Sequence, residues 1–535
     1  MRWWILLPLM ALAGAGSGQQ PGSESSAVPE AGPSPRDCGG EGTAPAKARI
    51  LPGYGGGGFP ITTQVPMAQA YFDNGMQLAS AFAHKAAISA MAEAVRRDPS
   101  CAMCAWGHAW ASGPTINYPV SPEEAKALAL EAEKAQRLAA RGSEKERLLA
   151  AALVQRYRKG DAAFARAMDA LAMRYPEDDQ LLVLAADAWM ILDRDAGKSG
   201  STPREVALLE TVLKRSPDYT PAIHFYIHAT EVHGYPARAE PYADRLPNLA
   251  PAASHLVHMP SHTYYHIGRY QDAVDANVRA VAIGRDNARR LGMGEPDGVW
   301  NLPYHAHNVH YGVGAALISG DAKSALALSD PLVARTVNAN ANHYGAFGEM
   351  IAGTGFFAQA RFADPARVLA LPRPAASYRF ATAFYHYARG EAQARLGNAA
   401  AVRAEAAAMQ VPAGKGAKED FAFDAARKMV KIARLVLEGR AAMLDRHPRR
   451  ALSAFSAAAK LQESRDFANY ADPPAFWYPV RRDMAQALFA LGKPREAIAQ
   501  ADAALADMPK EPETLASRAR ISASLFRRGE QLARR

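Results

Sequence analysis

The chain has 535 residues, of which 49% are hydrophobic and 21% charged, and its formal net charge is +9. This basic excess is small for the length and is spread along the chain, whereas nucleic-acid binding typically needs a clustered basic stripe with stacking aromatic side chains. After the N-terminal segment no run of 18 or more apolar residues occurs. The composition therefore argues against a nucleic-acid partner and against a permanent membrane span.

The first residues have the features of an export signal. Met1 and Arg2 give a short positive start, and the apolar run 3–15 is too short to cross a bilayer as a permanent helix. Small residues close the run, as a cleavage site requires. We predict a signal peptide over residues 1–18 and a mature protein in the periplasm or outside the cell.

Residues 19–60 are rich in glycine, serine and proline, a composition that predicts a disordered leader. Cys38 lies in this segment, and only Cys101 and Cys104 follow it. The two later cysteines stand at the predicted start of a helix without the βαβ pattern of a thioredoxin-like enzyme. A structural disulfide or a pair of buried thiols is therefore favoured over redox catalysis.

From residue 61 onward the pattern is helical, and alanine, the residue with the highest helix propensity, is abundant. One arrangement recurs: a small turn residue, an alanine early in the next helix, a second alanine seven residues further on, and a closing proline. Two examples are Gly75, Ala87, Ala94 and Pro99, and Gly492, Ala497, Ala504 and Pro509. This recurrence predicts an all-α chain built from helix–turn–helix units.

A period of 34 residues is present in the middle of the chain. His224 and His228 are followed at this offset by His258 and His262. This is the length of a tetratricopeptide (TPR) unit, and the chain resembles the TPR family. The resemblance implies a TPR-like α-solenoid of helix–turn–helix pairs, with N-terminal repeats over 61–216, histidine-rich repeats over 217–334 and C-terminal repeats over 335–535.

Three short segments resemble a narrower group, the exported bacterial TPR proteins. They are the sequence YFDNG at 71–75, the sequence DPSCAMCAWG at 98–107 and the histidine-rich stretch 255–262. This resemblance implies the fold and the export, and it implies no settled activity.

Ten of the 15 histidines lie between His224 and His310. Spacings of three and four residues place side chains on one face of a helix. In the TPR pattern the first helix of each unit lines the concave groove, so the resemblance places histidines of three successive first helices in matching rows. The groove-facing residues of this pattern are His224, His228, Glu231, His255, His258, His262, His266, His307 and His310.

These rows predict a metal site. Neutral imidazole is the commonest side-chain metal ligand, and packed helices ~8–10 Å apart allow side chains of both helices to bind one ion. Sites rich in imidazole suit Zn, Cu or Fe. All nine residues of the rows are therefore candidate ligands of a transition-metal ion. If the site is catalytic, Glu231 or Asp297 is the candidate general base; the HExxH motif of the zincins is absent.

Two further features modify these helices. Pro260, between His258 and His262, should kink its helix because it removes a backbone donor. The insertion 292–303 has loop composition and stands just before His307. We expect it to form either a lid over the histidine groove or a plain surface loop.

Three functions stay open from the sequence. The first is a metal-dependent enzyme, either a hydrolase or an oxidase, and the second is a metal carrier without catalysis. The third is a non-catalytic scaffold that binds a protein or peptide partner in its concave groove, as repeat arrays commonly do. The unusual composition is confined to three units, which favours a local metal site. The sequence does not indicate the oligomeric state.

Overall fold

The structure, a computed structural model, describes residues 48–193, 203–294, 297–338, 345–413, 422–468 and 473–533. The predicted signal peptide, Cys38 and most of the predicted leader lie outside these ranges. No β-strand is found in the described part of the chain, and none of its helices is both long and apolar enough to cross a membrane.

The helices up to the histidine-rich region are α1 (Pro66–Ser80), α2 (His84–Arg97), α3 (Ala102–Ala111), α4 (Pro122–Ala139), α5 (Glu144–Lys159), α6 (Asp161–Arg174), α7 (Asp179–Asp193) and α8 (Arg204–Arg215). The histidine-rich region contains α9 (Thr220–His233), α10 (Glu240–Ala243), α11 (Leu246–Leu249), α12 (Ser254–His258), α13 (Pro260–Ile267), α14 (Tyr270–Arg290), α15 (His305–Ser319) and α16 (Ala322–Arg335). The remaining helices are α17 (Gly345–Phe362), α18 (Pro365–Leu369), α19 (Arg379–Arg395), α20 (Ala399–Ala408), α21 (Phe423–Leu444), α22 (Pro448–Gln462), α23 (Arg465–Ala468), α24 (Arg481–Ala490), α25 (Pro494–Asp507) and α26 (Pro512–Ala533).

The helices pack in chain order. α1 packs on α2, α2 on α3, and so on through most of the array, while contacts such as α1 with α3 and α19 with α21 join helices of successive pairs. Each pair buries its apolar face only by stacking on its neighbours. The prediction of an all-α solenoid of helical pairs is confirmed.

The helices that carry the histidine rows end at glycines with left-handed backbone. Gly234 follows α9 at φ 81°, Gly268 follows α13 at φ 76° and Gly320 follows α15 at φ 87°. Glycine adopts this conformation without the steric penalty of a Cβ atom, and it allows the chain to turn back into the next helix. The repeated glycines of the sequence therefore set the ends of the repeated helices.

The array also coils back on itself, so that distant segments touch. The Asn117 side-chain amide donates a hydrogen bond to the Tyr304 hydroxyl (2.8 Å), across 187 residues. Near the other end, the Tyr270 hydroxyl donates to the carbonyl of Pro509 (2.8 Å). These contacts join segments of distant units across the array.

The end of the predicted leader is ordered, which differs from the sequence-based prediction for residues 48–60. The Gly56 amide donates to the Thr220 hydroxyl (2.6 Å), and the Gly58 amide donates to Gln180 Oε1 (3.1 Å). Phe59 is buried in the core, with its ring edge on Phe72. The glycines allow the backbone to approach the helices closely, a role that composition alone does not distinguish from disorder. We call residues 48–59 the strap.

Cys101 and Cys104 form a disulfide bond at the start of α3, and both are buried. The Cys104 amide donates to Cys101 Sγ, which caps the helix. A bond with so little exposure is a structural link within the core, as the sequence favours over redox catalysis.

Candidate metal centre

Side chains from four helices meet at the centre of the histidine-rich region. Ligand atoms of His224 and His228 on α9 and His255 on α12 all lie within 4.8 Å of one another; we call these residues the first trio. The same holds for His258 on α12, His262 on α13 and His307 on α15, which we call the second trio. The repeat thus places imidazoles of three successive units side by side.

The first trio is enclosed on every side. His224 is fully buried, and its Nδ1–H donates to the backbone carbonyl of Ser80 (2.6 Å), because a carbonyl only accepts. This bond leaves the Nε2 lone pair of His224 facing Nε2 of His255 at 3.2 Å. The Phe82 ring lies 4.4 Å from the His224 ring and 5.0 Å from the His255 ring, between centroids.

Burial keeps these imidazoles neutral. It lowers the pKa of His224 to about 3 and lowers the pKa of His255 well below its usual value, with neighbouring histidines acting in the same direction. A neutral imidazole has the free lone pair that a metal ion requires. At neutral pH His224 and His255 are therefore suited to bind a cation rather than to carry charge themselves.

The second trio brings three Nε2 atoms together. Nε2 of His258 lies 3.1 Å from Nε2 of His262 and 3.1 Å from Nε2 of His307. Nitrogens bound to one ion at ~2.0–2.1 Å lie roughly 3–3.4 Å apart. The separations match the edges of a coordination polyhedron.

Neighbouring acceptors hold the Nδ1 protons of two members of this trio, His258 and His262. Asn277 Nδ2 donates to the carbonyl of Ala273 (2.8 Å), which turns its Oδ1 toward Nδ1 of His258 at 2.7 Å. Nδ1 of His262 lies 3.0 and 3.1 Å from the two carboxylate oxygens of Glu231. Because both Nδ1–H groups donate to these oxygens, the facing Nε2 atoms carry lone pairs.

Two lone pairs facing each other at 3.1 Å repel unless a cation lies between them. A proton bridges two nitrogens only, whereas the His307 nitrogen is a third partner at the same distance from His258. A metal ion satisfies all three nitrogens, since structural and catalytic metal sites use three or more ligands.

Glu231 joins the two trios. Its carboxylate, together with His228 of the first trio and His262 of the second, forms a third group of close ligand atoms. The same carboxylate lies 3.3 Å from Nε2 of His266. Glu231 is only 3% exposed. The contacts fit a carboxylate that orients imidazoles beside a metal, as such partners commonly do.

The other predicted site residues are not members of the trios. His266 contacts Glu231 and belongs to neither trio, and His310 is buried on α15, one turn after His307, also outside both. Asp297 forms an ion pair with Arg335, and its side chain is 69% exposed. Asp297 thus lies in a mostly solvated ion pair outside the buried trios, and its role as a general base stays a prediction.

The resemblance places the histidine rows on a concave groove, and at this place the structure corrects that expectation, because the side chains are buried. His224, His228, His258 and His262 are at most 3% exposed. Phe82, from the turn between α1 and α2, and Tyr304, which directly follows the insertion, fill the space in front of them. The centroid of the Tyr304 ring lies 4.2 Å from that of the His255 ring. Polar side chains that a repeat pattern assigns to a groove become buried where the coil closes.

The filling residues have unusual backbone conformations. Phe82 has φ 56° and Tyr304 has φ 65°, both in the left-handed region that bulky side chains rarely adopt. Such strain persists only where the surrounding structure imposes it, and it clusters at functional sites. The sequence carries no signal for Phe82, because it reaches the histidines through a contact between distant units, whereas Tyr304 directly precedes the third histidine helix.

Pro260 divides the second histidine helix, as the sequence predicts. α12 ends at His258 and α13 begins at Pro260, and the His262 amide donates to the carbonyl of Met259 (3.1 Å). The insertion packs with Trp300 against His305 and the Arg335 guanidinium. Tyr304, which directly follows the insertion, covers the first trio.

No family model and no curated protein matches this sequence. Among solved structures, yeast Tom70 is 10% identical over 86% of this chain and 89% of its own, with a TM-score of 0.27. The structure of Naa15/Naa10 bound to HypK-THB is 11% identical over 87% of this chain and 75% of its own, with a TM-score of 0.21. Similarities this weak carry no argument about function.

Proposed function

We propose that this α-solenoid binds one or two transition-metal ions in a buried centre formed by the two trios and Glu231. The observation that carries the proposal is the second trio, in which three Nε2 atoms converge while two of the Nδ1 protons are held by Asn277 and Glu231. The second trio is therefore the main candidate position for an ion. The first trio supplies another candidate position, and Glu231 and His228 link the two positions.

The donor set selects the class of metal. Six imidazoles and one carboxylate are offered, a composition that suits Zn, Cu or Fe and that disfavours Ca or Mg, which require oxygen ligands. In this proposal Glu231 orients His262 and His266. For Glu231 to act as a general base it would first have to release these imidazoles.

Enclosure of the site favours metal binding over peptide binding in the same place. A peptide in the predicted concave groove would have to displace Phe82 and Tyr304 before it reached the histidines. The proposal therefore assigns the histidine region to a metal, and a protein or peptide partner would bind on another surface. Export to the periplasm or the cell exterior is part of the proposal and rests on residues 1–18.

Metal content tests the proposal. Purified protein is loaded with Zn(II), freed of unbound metal by gel filtration and measured by elemental mass spectrometry. We expect at least one ion per chain, a loss of that ion in His258→Ala, and no loss in His108→Ala, whose ring pairs with Glu131 on α4. Equal, sub-stoichiometric content in all three proteins would overturn it, and a proton shared between His258 and His262 would then explain their short distance.

A further inference from the structure

The two trios differ in how far they are enclosed. In the first trio all three residues are buried, and His255, the most exposed of them, is 6% exposed. The Phe82 ring lies against this trio from one side, and the Tyr304 ring packs on its His255. In the second trio one member, His307, is only half-buried, so part of this residue is exposed to solvent. The second trio can therefore be approached from solution on the side of His307.

Tyr311 covers the second trio from within the array. It is buried, and its ring centroid lies 4.6 Å from those of His258 and His262 and 4.5 Å from that of His307. Its hydroxyl lies 3.0 Å from Nδ1 of His262, the nitrogen on the far side of the imidazole from the converging Nε2 atoms. Tyr311 thus packs on all three imidazoles, while its oxygen is directed away from the position of an ion.

The protein supplies three ligands to an ion in the second trio. Among the described residues no fourth His, Cys, Asp or Glu ligand atom lies within 4.8 Å of all three, and Glu231 groups with His228 and His262 instead. Structural zinc sites are closed by four protein ligands, whereas sites with three protein ligands keep a position for water or substrate. The half-exposed second trio has the composition of the latter kind.

The charges favour an anion at this fourth position. Imidazoles bind a metal ion in their neutral form, so three of them leave the charge of a divalent ion uncompensated. Glu231 carries one carboxylate beside the trio, and its oxygens lie next to His262 and His266. An unbalanced charge among buried side chains is costly, and a second negative group would reduce that cost.

We infer that an ion in the second trio binds a small exchangeable anion at its fourth position, on the side of His307. This inference rests on the proposed function, because it requires the ion. It also divides the centre into two parts: the second trio takes a ligand from solution, and an ion in the first trio, enclosed by Phe82 and Tyr304, does not. Burial of His258 and His262, at most 2% exposed, restricts the ligand to a small one.

Visible absorption of the cobalt(II)-loaded protein, titrated with azide, tests the inference. Azide is a small anion, and the visible bands of cobalt(II) change when its ligands change. In the wild-type protein we expect azide to shift these bands to a saturating value while the cobalt content per chain stays constant. His258→Ala should lose the shift. His224→Ala, which removes a nitrogen of the first trio only, is the matched control and should retain it.

Cobalt content, measured on the same samples, separates this inference from the proposed function. A wild-type protein that binds cobalt and whose spectrum is unchanged by azide would overturn the inference and leave the proposed metal centre standing, and this arm does not depend on the folding of any variant. A spectral change that comes with loss of cobalt would overturn it as well. A shift that persists in His258→Ala would place the anion at another site. A wild-type protein that binds no cobalt would overturn both proposals.

Discussion

Asn277 is the residue that fixes how His258 presents its nitrogen. Its Oδ1 lies 2.7 Å from His258 Nδ1, and its own amide is held by the carbonyl of Ala273. Partners of this kind orient a metal-binding imidazole and set its tautomer. No motif in the sequence indicates this role, because Asn277 lies on α14, outside the histidine rows.

Replacing Asn277 with leucine should weaken metal binding by ~10–100-fold, the effect usual for loss of such a partner. The physical reason is that His258 would lose the acceptor that holds its Nδ1 proton and its ring orientation. The affinity is measured by competition with a chelator, and thermal unfolding of the metal-free protein monitors the fold. Asn277→Asp, which keeps an acceptor oxygen, is the matched control and should bind more tightly than the leucine variant. Equal affinity of all three proteins would contradict the role of Asn277.

Asp187 should make the stability of the protein depend on pH. Burial on α7 raises the pKa of this carboxyl from 3.8 to about 7. A carboxyl with a raised folded pKa binds its proton more tightly in the folded state. The folded state is therefore favoured at low pH, and this advantage is lost as the pH rises from about 4 to 7, roughly 4 kcal/mol in all. Arg156, Asp161 and His84 are the charged or titratable groups around it.

Asp187→Asn should remove this dependence. We expect the variant and the wild-type protein to unfold at similar denaturant concentrations at pH 4, and the variant to be the more stable at pH 8. Denaturant unfolding of both proteins at the two pH values makes the comparison. A difference in the free energy of unfolding between the two proteins that stays constant with pH would show that Asp187 is solvated.

At the scale of the helices, glycines at crossings set how closely neighbouring elements pack. A Cβ atom built on Gly439 of α21 would overlap the ring of Phe455 on α22, and one on Gly75 would lie 2.7 Å from the Met91 methyl carbon. The recurring small residues of the sequence predict these crossings, since close packing leaves room for no larger side chain.

Gly439→Ala should destabilise the protein by about 1–3 kcal/mol, the usual effect of overpacking a core, despite the better helix propensity of alanine. Thermal unfolding measures the change. Gly294→Ala is the control, because a Cβ atom at Gly294 meets no atom of another described residue within 4 Å, its chain neighbours aside. A Gly439→Ala protein as stable as this control would mean that α21 and α22 can move apart freely.

Some features of the histidine site can be predicted from the sequence, whereas others depend on contacts between distant helices. The period of 34 residues and the helical spacing of the histidines predict the rows that form both trios, and Pro260 predicts the break between α12 and α13. The repeat pattern describes contacts between neighbouring units only. It therefore cannot predict that Phe82, from the turn between α1 and α2, covers His224 on α9. This contact between distant units makes the predicted groove a closed core.

At the scale of the whole molecule, the strap and the coiling of the array hold the histidine helices in place. The strap bonds to Thr220 at the start of α9 and to Gln180 on α7, and its Gly53 carbonyl accepts from the Ala252 amide (2.9 Å). It thus connects units that are far apart in the sequence, and it lies next to the segments from which both trios arise.

Removing residues 1–58 should lower the thermal unfolding midpoint and increase the rate at which a chelator extracts the metal. The reason is that α7, α9 and the segment before α12 would lose the backbone contacts that tie them together. Removing residues 1–47 alone is the matched control and should change neither quantity, because the strap is retained. Identical chelation rates in the two shortened proteins would contradict a structural role of the strap.

The central claim is that the three Nε2 atoms of the second trio surround a metal ion, and anomalous diffraction from crystals of the metal-loaded protein tests it most directly. The account predicts an anomalous peak, at the absorption edge of the metal, at ~2.0–2.1 Å from Nε2 of His258, His262 and His307. A fully loaded crystal with no peak at this position, and with the three imidazoles hydrogen-bonded to each other or to water, would contradict it.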